Sequence, residues 1–313
     1  MNTQPSSRFL HLAKLTLVFV YLVIIAGSVV RATGSGMGCP DWPRCFGHWI
    51  PPTDASQLPA DYRSYFKVQN QEIAPFNALQ TWTEYGNRLI GAMLGILMFI
   101  QLFFAWRGRA KDKIIFRLAL FTLLLTGMEG VLGAIVVHTN LKTGVITLHM
   151  FLSLIILAVQ AYMVNRASGM TSTKPTSSLL HKLLITSFIL TTVQILAGTQ
   201  VREHVDVLLK NFDDNSRKDI LTNVGSLFYG HGFFAWVLLA LNLFICFKLF
   251  SDKSFFPSVR KLVFGLILLL LMEIGAGALL SLFALPPFVQ PVHLLLASLI
   301  FGVQWGLVIK SRS

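Results

Sequence analysis

Eight separate stretches of this chain are apolar for long enough to cross a hydrocarbon core of about 30 Å, and that feature decides the solvent in which it folds. They run roughly over Leu15–Val30, Leu89–Trp106, Ile114–Val137, Val145–Val164, Leu183–Val201, Gly225–Phe250, Leu262–Phe283 and Phe288–Ile309. Composition agrees, since 54% of the 313 residues are hydrophobic and only 13% are charged, far from the balance of a soluble domain. Gly34, Ser35 and Gly36 follow the first stretch much as small residues flank a signal-peptide cleavage site. That stretch is too long for a signal peptide, however, and seven more spans follow it. The expected fold class is an all-α integral membrane protein with eight transmembrane helices.

Lys and Arg concentrate in loops that stay cytoplasmic. With the N-terminus inside, sixteen Lys and Arg fall on cytoplasmic segments, Lys111 among them, opposed only by Asp112 and Asp252. The external segments carry ten basic against ten acidic residues. Both termini are therefore expected in the cytoplasm, with the chain in the cell (inner) membrane and lipid around it. The net charge of +12 is thus a topology signal. A nucleic-acid partner would call for a clustered basic face with stacking aromatics, so none is expected.

An internal repeat is visible. Tyr85-Gly86-Asn87 and Tyr229-Gly230-His231 lie 144 residues apart. The same offset relates Met128-Glu129 with Gly133-Ala134 to Met272-Glu273 with Gly277-Ala278, and His149 to His293. Ala26-Gly27-Ser28-Val29-Val30-Arg31 resembles Ala197-Gly198-Thr199-Gln200-Val201-Arg202 at an offset of 171, so the first half carries 27 extra residues between its first two helices. Helices 1 and 5 run in the same direction, which predicts two parallel-repeat four-helix bundles and not the inverted repeats of many transporters. The domains expected are 1–165 and 166–313. Cys246 has no counterpart and reads as a small buried hydrophobe.

His231 and His293 are expected at similar depth in one bundle. Two imidazoles on facing helices hold a low-spin heme iron, and glycines such as Gly230 and Gly232 let backbones come close to a flat porphyrin. A histidine that merely hydrogen-bonds across helices is the plainer reading, but recurrence of His149 at the His293 position argues against it, because polar groups at that depth are costly. In the first half Asn87 stands where His231 predicts a histidine. Neutral asparagine is a poor axial partner, so a heme held by His149 would be five-coordinate or carry a weak ligand. An open iron face permits chemistry, whereas a closed bis-imidazole iron chiefly passes electrons.

Glu84 lies one helical turn outward of Asn87 and either exchanges protons at the edge of the site or pairs with Arg88 at i+4. Glu129 and Glu273 lie deeper, where charge is expensive, as structural polar contacts or as a proton relay. In the external loop, Cys39 and Cys45 have five residues between them. A disulfide there closes a small loop, as a staple or as a redox-active pair; a zinc site using nearby His48 lacks further ligands.

These residues resemble the heme A synthase family. The likeness rests on Val-Val-Arg-Ala-Thr-Gly-Ser-Gly from Val29 to Gly36, Cys-Pro-Asp-Trp-Pro-Arg-Cys from Cys39 to Cys45, Pro51-Pro52, Glu84-Tyr-Gly-Asn-Arg88 and the histidines of helices 4, 6 and 8. The resemblance implies heme B in the C-terminal half, on His231 and His293, and the substrate heme O in the N-terminal half, on His149. It implies oxidation of the C8 methyl of heme O to a formyl group, by way of the alcohol, with Glu84 handling protons. The family has a histidine three residues after that glutamate, and this sequence has Asn87. The implied partners are heme O, an electron donor the sequence does not name, the enzyme that makes heme O and assembly factors of the terminal oxidase. The rival reading is a b-type membrane cytochrome that only transfers electrons; a transporter would not require the histidines.

Overall fold

The computed structural model describes residues 7–110, 112–169, 176–209 and 225–312. Lys111 and the charges within 170–175 and 210–224 that entered the topology argument lie outside the described residues. Among the described residues there are eight long helices: α1 (Ser7–Ala32), α2 (Ala78–Arg107), α3 (Lys113–His138), α4 (Thr143–Ala167), α5 (Ser178–Leu209), α6 (Ser226–Ser251), α7 (Phe256–Leu282) and α8 (Val289–Ser311). Each is long and apolar enough to cross a membrane, and only 22% to 39% of each apolar core segment is buried. Large side chains such as Phe99, Leu124, Leu268 and Leu271 therefore point outward, an arrangement that lipid solvates and water does not. This is a multi-pass membrane protein.

Most helices outrun the apolar stretches that announce them. The clearest case is α2, which starts at Ala78 and not near Leu89. Asn77 caps it, its side chain accepting from the Gln80 amide at 3.1 Å. Hydropathy registers only the hydrocarbon-length segment, while the backbone ladder continues wherever its polar side chains find partners. The same holds for α7, whose approach is fixed by Asp252 Oδ1 accepting from the amides of Ser254 and Phe255 at 3.1 and 3.0 Å.

The chain divides into two units, one ending at Ile156 and the other beginning at Leu157, so the division falls inside α4. In the first, α1 packs on α2 and α2 on α3, while His149 and Ser153 of α4 reach Glu129 of α3. In the second, α5, α6, α7 and α8 pack in a closed ring. The end of that ring near the α6–α7 connection is filled by Leu184, Ile245, Leu249, Phe255, Val263 and Leu266, with the free thiol of Cys246 buried among them. A fully buried polar knot ties three helices there. Ser187 of α5 and Gln304 of α8 donate to Asn242 Oδ1 at 3.0 and 2.9 Å, and the Asn242 amide donates to the Leu238 carbonyl at 2.8 Å.

The 144-residue offset of the sequence reappears in the backbone. Asn140 and Leu141, between α3 and α4, both take positive φ, as do Ala284 and Leu285 between α7 and α8. In each turn the second residue's amide donates five positions back, Leu141 to Val136 and Leu285 to Leu280, at 2.9 Å in both cases.

Replacing Asn242 by Leu should take the acceptor from the Ser187 hydroxyl, leave the Gln304 amide with Ser187 Oγ as its partner at 3.0 Å, and cost about 1–2 kcal/mol. Leu243→Ala, on the exposed side of the same helix, should stay within about 0.5 kcal/mol. Reversible unfolding in mixed micelles would compare the two.

Candidate functional site

One face of the polar start of α2 grips the cysteine loop. Cys39 and Cys45 are joined by a disulfide, and around it Phe46, Leu58, Val68 and Ile73 form a small core. Phe46 lies at its centre, edge-on to Phe66 and Phe76 with ring centroids 5.5 and 5.6 Å away. Arg88 donates to the carbonyls of Asp41, Arg44 and Cys39 at 2.7, 2.9 and 3.2 Å and pairs with Glu84 at 2.5 Å. The other Glu84 oxygen accepts from the Cys39 amide at 2.8 Å. Thr81 donates to the Gly38 carbonyl at 2.9 Å and Tyr85 to that of Trp49 at 2.7 Å. A Cβ on Gly38 would stand 2.5 Å from the Gln80 carbonyl oxygen, so only glycine lets the loop lie this close. Glu84, 4% exposed, thus has both the Arg88 pairing that its i+4 spacing offered and a contact the spacing did not reveal.

Deeper in the spans, each half brings a glutamate to a histidine. Glu129 of α3 contacts His149 Nδ1 of α4, and Glu273 Oε1 of α7 lies 3.2 Å from His293 Nδ1 of α8. Ser153 adds a hydrogen bond to Glu129 Oε1 at 2.7 Å. The ring nitrogen left over in each histidine is Nε2. His231 of α6 has no such carboxyl, and its Nδ1 is buried with no hydrogen-bond partner among the described residues. His231 and His293 both lie in the second unit, on α6 and α8, where they feel one another electrostatically. Asn87 Oδ1 is likewise buried and unpartnered among the described residues.

Glycines on neighbouring helices face all four positions. A Cβ at Gly198 would come 3.1 Å from His231 Cε1, at Gly277 3.4 Å from His293 Cε1, at Gly133 3.9 Å from His149 Cε1, and at Gly27 4.0 Å from Asn87 Oδ1. Gly27 and Gly198 occupy matching places in the repeat, as do Gly133 and Gly277. Gly230 and Gly232, which flank His231, have open space beside them, with nothing but their chain neighbours within 4 Å of an added Cβ. Orphaned buried nitrogen and oxygen atoms beside side-chain-free surface are what a planar, metal-bearing macrocycle requires, so the residues present fit a heme.

Comparison with known proteins decides the family. The description "Cytochrome oxidase assembly protein", COX15-CtaA, matches residues 11–305. The chain belongs to that family. A heme A synthase of Shewanella oneidensis is 32% identical over 189 residues, covering 60% of this chain and 54% of that protein. Heme A synthases of Methylobacterium radiotolerans and Geobacillus kaustophilus are 32% and 29% identical over 134 and 144 residues, covering 40% and 46% of this chain and 35% and 38% of theirs. The chain spans about half the length of the first relative and less of the other two.

Sequence reasoning missed two features of this family member. It placed Glu129 and Glu273 among buried polar residues without their histidine partners. The signal was available: glutamate and histidine lie roughly two to three helical turns either side of the same tight connection, which puts them at one depth. It also passed over Gln194 of α5, whose amide donates to the His231 carbonyl at 2.8 Å while its own oxygen is buried and unpartnered among the described residues. No repeat partner marks Gln194, since Val23 stands at the matching place.

Arg88→Gln should leave Glu84 buried without its cation and free three loop carbonyls. Breaking a buried pair from one side costs about 3–5 kcal/mol. Limited proteolysis should then cut between residues 46 and 76 at least tenfold faster than in the unmutated protein, with cleavage within the membrane spans unchanged.

Proposed function

We propose that this protein is a heme A synthase, an oxidoreductase that converts heme O to heme A by oxidising the C8 methyl to a formyl group, and that it serves cytochrome oxidase assembly. Family membership and the names of its relatives support the reading. The observation that carries it is the set of four glycine-backed positions, three of them histidines, together with buried polar atoms of Asn87 and His231 that have no hydrogen-bond partner among the described residues.

In this reading the halves are parallel repeats with different tasks. His231 and His293 hold heme B in the second half, which supplies one-electron redox chemistry when bound. His149 holds the iron of the substrate, heme O, in the first half. Asn87 takes the place opposite, and because a neutral amide is a poor axial ligand it leaves that side of the substrate accessible. The methyl would be oxidised stepwise, to the alcohol and then the aldehyde, either giving up four electrons and four protons to an external acceptor with water supplying the oxygen atom, or consuming one O₂ and releasing one water. The chain's own groups position the substrate, exclude water and handle protons. Glu84 is the candidate for proton handling; its bonds to Arg88 and to the Cys39 amide tie its position to the disulfide loop, so the Cys39–Cys45 pair fixes the edge of the substrate site.

Both termini face the cytoplasm of a cell with this protein in its inner membrane, and the cysteine loop lies on the oxidising side, where a disulfide persists. Plausible neighbours by chemistry are the enzyme that delivers heme O, the oxidase assembly machinery that takes heme A, and an electron partner.

The test is chromatography of hemes extracted from membranes of a heme-O-producing host. Heme A or its hydroxymethyl precursor should appear with the unmutated protein and be absent with His149→Ala, and Glu84→Gln should slow conversion at least tenfold. Heme B alone, from a well-expressed protein with a bound-heme spectrum, would move the assignment to an electron-transfer cytochrome.

A further inference from the structure

The two glutamates that meet histidines are the features that heme binding as such does not use. Carboxyl groups are expensive in a span, and any single interhelical contact could be made with serine or asparagine. Yet both halves put the carboxyl at the same place, 144 residues apart, against the same ring atom of the same histidine. In both the glycine of the preceding helix, Gly133 or Gly277, abuts Cε1 of that ring. One edge of each imidazole is therefore occupied by carboxyl and glycine backbone, and Nε2 is the nitrogen that remains. His231 is built differently: among the described residues no hydrogen-bond partner meets its Nδ1, and Gln194 donates to its backbone carbonyl.

We propose that Glu273 and Glu129 are positioning residues that accept the Nδ1 proton of His293 and His149, thereby fixing the ring tautomer and presenting Nε2 to heme iron. The inference rests on the reading of these histidines as axial ligands. A histidine that ligates metal through one nitrogen commonly donates the other to a carboxyl or carbonyl, which orients the ring and makes it a stronger donor. The Glu273–His293 pair stands at ion-pair range without linear hydrogen-bond alignment, as such contacts often do before the ligand tightens them. Its consequence is an asymmetry within the second half. His293 is the electron-rich ligand and His231 the weaker one, and removing the Glu273 carboxyl should make the bound iron easier to reduce.

The decisive experiment uses the full-length protein purified with its heme, comparing Glu273→Gln, Glu273→Asp and His293→Ala. Heme content is read by pyridine hemochrome, the midpoint potential by redox titration, and ligation by the low-spin EPR signal. Glu273→Gln should keep low-spin heme but shift the midpoint potential upward and alter the EPR g-values. Glu273→Asp, which retains a carboxyl, should fall between it and the unmutated protein. His293→Ala should lose at least tenfold in heme retention. An unshifted potential and unchanged g-values in Glu273→Gln, with heme lost in His293→Ala, would overturn the positioning role while leaving the ligand assignment intact. Full low-spin heme in His293→Ala would instead overturn the ligand assignment and the inference with it. Should Glu273→Gln fail to accumulate, Glu273→Asp decides alone, since its potential must differ from the unmutated value if the carboxyl contact matters.

Discussion

A polar group inside a bilayer must find its partner within the protein, and this fold is arranged around that requirement. No water is present in the hydrocarbon to satisfy a stray carboxyl or amide, and each unmet group costs several kcal/mol. Helix pairs are accordingly tied where their polar residues meet: Glu129 with His149 and Ser153 across α3 and α4, Glu273 with His293 across α7 and α8, and Asn242 with Ser187 and Gln304 in the second ring. Between those ties the surfaces are apolar and give little preference for one rotation over another, because lipid is as apolar as leucine. The polar pairs supply the rotation.

The cysteine loop meets the same requirement at the membrane edge. The start of α2 carries Thr81, Glu84 and Arg88, residues that would weaken a free helix end in lipid. Each is satisfied by backbone groups of the loop that precedes it. Loop and helix thus complete one another: the loop has too small a core to be stable alone, and the helix end has charges that need burying. The junction formed there is held by two chemically different contacts, ionic and backbone, that converge on the single carboxyl of Glu84.

Much of this was legible in the amino-acid sequence, for reasons that differ from element to element. Eight spans could be counted because hydrocarbon thickness sets a minimum length for every apolar run. The extension of α2 back to Ala78 could not, because its polar residues depend on partners about 40 positions away. His231 and His293 were recognisable as a pair through the repeat, which substitutes for contact information by marking equivalent depths. Gly198, which reaches the ring of His231 from another helix, could not be picked out, because the sequence shows a histidine's chain neighbours and not its neighbours across helices. Gln194, lacking a twin in the first half, gave no mark at all.

The two left-handed connections at Asn140–Leu141 and Ala284–Leu285 act as rulers. Each fixes how far the returning helix has turned when it reaches the depth of its partner, and so decides which side chain faces the glutamate. One inserted residue would rotate the returning helix by about 100° and carry the histidine out of reach. Length variation in a chain of this design is therefore confined by geometry to other connections, and the 27 residues that distinguish the first half lie between α1 and α2, where they lengthen a loop without changing the phase of any helix that bears a histidine.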